Sequence, residues 1–262
     1  MRTYLLPLLL TLFAGMSTLV GGFITFFVKR NNLKVLSIGL GFSAGVMVYI
    51  SLNELMSEAP KMLEAYYNTV YAKAITFSGF LIGIIVAVLI DYFIPDHIES
   101  DFLTNKSMKT QQRHKIRRAG LITAIAVTLH NFPEGMATFL VSSQDIMLGI
   151  PVALAIAIHN IPEGIAIALP IFHATGKKRL AILYSFLSGI SEPVGGLLGV
   201  LLLKTIMPEQ SIGIMTAAVA GIMVYLSFDT LLPLAREYGE NHHVIIGIVS
   251  GMLIMGFGLI FM

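Results

Sequence analysis

The chain of 262 residues is 56% hydrophobic and only 12% charged, with mean hydropathy +0.82, a balance that excludes an ordinary soluble globular protein. It has no cysteine, so disulfides and thiolate metal sites are excluded as well. The formal net charge of +2 carries no information until it is sorted by position.

A bilayer crossing needs roughly 20 apolar residues in a helix. In chain order the apolar blocks predict eight such spans: Tyr4 to Val28, Val35 to Ser57, Ala72 to Ile94, Ala119 to Val141, Met147 to Phe172, Leu180 to Lys204, Ile212 to Leu234 and Val244 to Phe261. The expected fold is an all-α integral membrane protein. Almost nothing remains for a soluble domain, so residues 1–262 read as a single transmembrane domain with a cytoplasmic loop at about 95–118. The first span is too long and uninterrupted for a cleaved leader and is expected to stay. Lys and Arg crowd the connections after spans 1, 3, 5 and 7, where 13 of the 17 lie. Basic loops face the cytoplasm, which puts both termini outside. The basic run from Lys106 to Arg118 is short and beside the membrane on that side, so it reads as part of the orientation signal rather than as a nucleic-acid or lipid-headgroup site; nucleic acid is not an expected partner, and the lipid bilayer is expected as the medium of the spans.

Two segments recur. Gly15-Met16-Ser17-Thr18-Leu19-Val20-Gly21-Gly22 in span 1 matches Gly189-Ile190-Ser191-Glu192-Pro193-Val194-Gly195-Gly196 in span 6 at five of eight positions. In span 2, Gly45 to Leu55 matches Gly221 to Leu231 of span 7 at six of eleven. Five spans separate the starts of the copies, so they cross in opposite senses. Spans 1–3 and 6–8 therefore read as an inverted repeat around the pair 4/5, a 3+2+3 plan that secondary carriers use to expose a mid-membrane site to each side in turn.

Spans 4 and 5 carry the costliest residues. His130-Asn131-Phe132-Pro133-Glu134-Gly135 returns 29 positions later as His159-Asn160-Ile161-Pro162-Glu163-Gly164. Intramembrane ionisable residues mark functional sites. At 3.6 residues per turn Glu134 lies about 40° round the helix from His130, and Asn131 about 100° round on the same side. One carboxylate flanked by an imidazole and an amide oxygen can serve two neighbouring cations. Pairing the copies gives a first site of His130, Glu134, His159 and Glu163, and a second of Asn131, Glu134, Asn160 and Glu163. Glu192, which replaces Thr18 of the repeat partner, is assigned to the second. Nitrogen and oxygen donors without sulfur suit zinc, and also other divalent transition metals. Pro133 and Pro162 each remove a backbone donor and free the carbonyls of Leu129 and Ile158, which argues for a polar pathway. Asn53 and Glu54 near the outer end of span 2, and Asp229 near the inner end of span 7, are candidate entrance and exit ligands. Asp96, His97, Glu99 and Asp101, with Glu237, Glu240, His242 and His243, could gather metal on the cytoplasmic side.

An enzyme would also bury His and Glu. The intramembrane protease signature His-Glu-x-x-His is absent, as are the Glu-x-x-His pairs of a di-iron oxidase, so no catalytic residue or cofactor is expected. A proton-coupled carrier of organic solutes would use the carboxylates but not the two His-Asn pairs.

On these motifs the chain resembles the ZIP (Zrt-, Irt-like protein) family of divalent-metal transporters, in particular its short bacterial branch. The resemblance covers the whole chain. It implies uptake of Zn²⁺, and of Fe²⁺, Mn²⁺, Co²⁺ or Cd²⁺, across the bacterial inner membrane through a binuclear centre. It also implies a homodimer in which helices 1, 4, 5 and 6 move against the other four. The positions matching the family's metal ligands are His130, Asn131, Glu134, His159, Asn160, Glu163 and Glu192.

Overall fold

A backbone in hydrocarbon must satisfy its own hydrogen bonds, which favours helices. The computed structural model describes residues 2–93, 108–205 and 210–260, and every element among them is helical. The rods are α1 (Arg2–Gly22, continued by a 3₁₀ turn Phe23–Phe26), α2 (Leu33–Glu64), α3 (Thr69–Phe93), α4 (Met108–Gln144), α5 (Ile146–Thr175), α6 (Lys178–Gly189 and Ser191–Thr205), α7 (Ser211–Tyr238) and α8 (Asn241–Ile260). Among the described residues, seven are long and apolar enough to cross a membrane by composition. The eighth rod, α4, is long enough but is diluted by its basic start and by His130, Asn131, Pro133 and Glu134.

Each rod matches one expected span, with ends displaced by a few residues. The largest differences are at α2, which runs on to Glu64, and at α4, which begins at Met108. Residues 108–118 of the expected cytoplasmic connection are thus helical, and its remainder, with Asp96, His97, Glu99 and Asp101, lies outside the described residues. A single residue, Asp145, separates α4 from α5, so the two motif helices form an antiparallel hairpin; its carboxylate caps α5 by accepting from the Met147 amide at 2.8 Å.

Two groupings organise the packing. In one, α1 lies along α5, α5 along α4, and α4 along the second half of α6; in the other, α2 lies along α8 and α3 along α7. Close approach in a membrane depends on small residues. A Cβ on Gly15 would strike the Gly189 carbonyl, and one on Gly189 the Gly15 carbonyl. A Cβ on Gly135 would strike the Glu192 carbonyl, and one on Gly164 the carbonyl of Thr18, the residue matched to Glu192 in sequence. The glycine that ends each His-Asn-x-Pro-Glu-Gly motif is therefore where α6 or α1 presses against it.

The sequence reading contained no π turns. One occupies Ser51–Leu55 in α2 and the other Leu226–Leu231 in α7, at matched positions. Ser51 donates back to the Met47 carbonyl at 2.6 Å and Ser227 to the Met223 carbonyl at 2.8 Å. Such back-bonding competes with the regular ladder and bends the rod.

Candidate metal centre

Because α4 and α5 are antiparallel, their motifs meet with reversed order, each histidine facing the other copy's glutamate. His130 Nε2 lies 2.9 Å from Glu163 Oε1, and His159 Nε2 lies 3.5 Å from Glu134 Oε2. All four side chains are buried, as are Asn131, Asn160 and Glu192. The seven residues singled out from the sequence are thus brought together between α4, α5 and α6.

The asparagines bind the flanking helices in matched fashion. Asn131 Nδ2 donates to the Ser188 carbonyl of α6 at 3.3 Å, and Asn160 Nδ2 to the Ala14 carbonyl of α1 at 3.0 Å. Ala14 and Ser188 stand one residue before the equivalent glycines Gly15 and Gly189. With the Asn131 amide oxygen and nitrogen exchanged, the nitrogen donates to Glu163 Oε2 at 3.3 Å and to the Val127 carbonyl at 3.0 Å, the orientation that best satisfies its surroundings. Asn160 also donates to Glu192 Oε1. That hydrogen bond draws Glu192 into the centre beside the α5 motif.

The centre holds more polar atoms than it satisfies. His130 Nδ1, both oxygens of Glu134, both ring nitrogens of His159, Asn160 Oδ1 and Glu192 Oε2 are buried without a hydrogen-bond partner. Buried polar atoms are rarely left so, and each orphan costs about 1–3 kcal/mol. Nitrogen and carboxylate donors in this number are what a divalent transition metal consumes. Among the described residues, no group of three or more His, Cys, Asp or Glu converges on one point; His130 is bonded to Glu163, and His159 only approaches Glu134.

A cavity of about 610 Å³ leads to this centre and ends on Glu134, His159 and Pro133. Its mouth is formed by Asn53, Glu54, Glu58 and Lys61 of α2 with Ile212 and Thr216 of α7. The expected entrance residues Asn53 and Glu54 therefore sit on the path, within the π turn that bends α2. Asp229 occupies the corresponding π turn of α7 and is exposed, away from the cavity. Of the second cytoplasmic cluster, Glu237 is engaged by Lys115 Nζ at 2.6 Å.

Two ion pairs join the rods at the end away from Asn53 and Glu54. Arg118 Nη2 reaches Asp91 Oδ1 at 3.1 Å, joining α4 to α3, and the Lys115–Glu237 pair joins α4 to α7. Ser43 donates to the Pro162 carbonyl at 2.6 Å, fixing α2 against the α5 motif. The sequence reading did not single out Ser43. Thr18, buried with its hydroxyl unpartnered, is a further polar neighbour whose only signal was its alignment with Glu192.

Comparison with known proteins gives a consistent assignment. The family model described as "ZIP Zinc transporter" matches residues 96–259. The chain is 45% identical to the "Zinc transporter ZupT" of Clostridium perfringens, over 99% of this chain and 97% of that protein. It is 46% identical to the ZupT of Streptococcus mutans, over 96% of each chain, and 43% identical to that of Campylobacter jejuni, over 97% of this chain and 95% of that one.

Proposed function

The chain belongs to the ZIP zinc-transporter family, and from that premise we propose that it imports divalent transition-metal ions, zinc first, through the centre built by His130, Asn131, Glu134, His159, Asn160, Glu163 and Glu192. The observation that carries this reading is the cavity that ends on Glu134 and His159, with unpartnered buried donors clustered at its floor. Fe²⁺, Mn²⁺, Co²⁺ and Cd²⁺ present the same preference for nitrogen and carboxylate donors and are further candidate cargo. By helical spacing each motif glutamate projects between the histidine and the asparagine of its own helix, which supports two adjacent ion positions with the carboxylates shared between them.

The paired π turns, the reciprocal glycine contacts and the matched asparagine bonds support the 3+2+3 inverted repeat within a single transporter domain. The cavity mouth lies at the α2–α3 and α6–α7 connections, the side that the loop charges assign to the exterior. On that orientation both termini are external and the conformation is outward-facing. Asn53 and Glu54 receive the ion and Asp229 releases it inside. The packing groups supply two bodies that could slide: α1, α4, α5 and α6 against α2, α3, α7 and α8. The bacterial inner membrane as location, and a homodimer as assembly, follow from the family resemblance.

The test is uptake of radiolabelled zinc into proteoliposomes by the parent protein and by Glu134→Ala and Glu163→Ala. Loss of uptake in both, with helical content retained by circular dichroism, is expected. Robust uptake surviving both substitutions would sink the central-site reading.

A further inference from the structure

The connections after α1 and after α5 are far apart in sequence but form one surface. Arg30 donates from Nη2 to the Ala174 carbonyl at 2.8 Å and from Nε to the His173 carbonyl at 3.3 Å. From the other side, Lys178 Nζ donates to the Phe26 carbonyl at 3.5 Å and lies 5.2 Å from the Phe26 ring centroid. These contacts gather Lys29, Arg30, Lys34, Lys177, Lys178 and Arg179 at one end of the bundle. Neither stretch 2–53 nor 164–191 contains an Asp or Glu. Among the described residues none of the six cations has a carboxylate partner. Arg30 and Lys178 are occupied with backbone and rings, while Lys29, Lys34, Lys177 and Arg179 point exposed charge outward.

The rim of this surface is apolar. Phe27 is 85% exposed and Phe26 54% exposed, with Leu183 on the flank of α6 at 48%. Exposed aromatic and aliphatic side chains directly beside free lysines fit the acyl and headgroup layers of a lipid in register. A basic end of a membrane protein is common, but here two loops are clamped into one unneutralised patch against a lipid-facing aromatic edge. We infer that this surface binds the headgroup of an anionic phospholipid. The charge complementarity is electrostatic and sequence-independent, so phosphatidylglycerol fits and zwitterionic phosphatidylcholine does not. The inference is independent of the metal centre and of which leaflet the patch faces.

The chain has no tryptophan, so Phe27→Trp places a single reporter on the patch. The variant is reconstituted in phosphatidylcholine vesicles containing brominated phosphatidylglycerol or brominated phosphatidylcholine at equal fractions. Brominated phosphatidylglycerol should quench several-fold more effectively, and 1 M salt should remove most of that preference. A Lys29→Gln/Lys177→Gln/Arg179→Gln background should abolish it, whereas Tyr71→Trp, at the opposite end of the bundle, should show none in the parent. Equal quenching by the two lipids at Phe27→Trp, or a preference that survives the triple substitution, would overturn the inference.

Discussion

His130 Nε2 and Glu163 Oε1 stand 2.9 Å apart in a pocket where both side chains are fully buried, whereas the matching pair of His159 and Glu134 is open to 3.5 Å and forms the cavity floor. The two diagonals are equivalent in sequence and unequal in the structure. Removing one partner of a buried ion pair costs about 3–5 kcal/mol because the other charge is stranded. His130→Ala strands Glu163 away from the cavity, whereas His159→Ala leaves Glu134 beside it. Both variants should lose zinc uptake. Thermal unfolding of the purified proteins should separate them, with the midpoint of His130→Ala well below that of His159→Ala; equal midpoints would show that the diagonals carry the same load.

Gly135 tests whether helix contact places Glu192. A methyl group there meets the Glu192 carbonyl, backbone that cannot move aside without shifting α6. Overpacking of this kind costs about 1–3 kcal/mol. Gly135→Ala should therefore lower both the unfolding midpoint and zinc uptake. Gly258→Ala, where nothing lies within 4 Å of the added carbon, should leave both unchanged. If the two alanine variants behave alike, the close approach at Gly135 is not what fixes the centre.

Much of this architecture could be read from residues. The eight rods follow from apolar length, and the centre from the cost of His, Asn and Glu in hydrocarbon, since neither signal depends on long-range contacts. The sequence places His130, Glu134, His159 and Glu163 in one site without saying which faces which; His130 meets Glu163 and His159 meets Glu134 because Asp145 folds α4 back on α5. The π turns were not legible: Ser51 and Ser227 are compatible with a regular helix, and only back-bonding in the folded rod reveals the bend. Ser43 was missed for a related reason. A single hydroxyl in an apolar helix is usually satisfied within its own turn, so its use across helices depends on packing. Asp229 lies at the position matched to Asn53, yet of the two only Asn53 meets the cavity, because alignment of two segments does not say which of them a cavity reaches.

On the proposed outward-facing reading, two ion pairs between the packing groups hold the inner end closed. Lys115 and Glu237 are partly exposed, and such pairs contribute about 0.2–1 kcal/mol, enough to move a two-state balance a few-fold. Breaking the pair with Glu237→Lys should favour opening of this end and closure of the other. The cysteine-free chain allows a single Val152→Cys probe in the cavity wall. Its modification rate by a water-soluble thiol reagent should fall a few-fold in Glu237→Lys and recover when Lys115→Glu restores the pair with reversed charges. An unchanged rate in Glu237→Lys would mean that this pair does not hold the closed end.

Glu192 is where the two halves of the centre cease to match. Its counterpart Thr18 contributes a hydroxyl, whereas Glu192 contributes a carboxylate whose Oε1 accepts from Asn160 and whose Oε2 has no partner. A carboxyl fully buried in this position is accommodated either by a proton or by a compensating cation, and on the proposed reading the bound metal supplies the charge. The ion position on the asparagine side should therefore depend on Glu192, and the histidine side should not. Glu192→Gln keeps the size of the side chain and an oxygen able to accept from Asn160, but removes the charge. Metal analysis of the purified variant should show the bound-zinc stoichiometry halved relative to the parent, with the thermal midpoint retained or raised, since a costly buried charge has gone. Stoichiometry equal to the parent's would remove Glu192 from the ligand set and leave its bond to Asn160 as a packing contact.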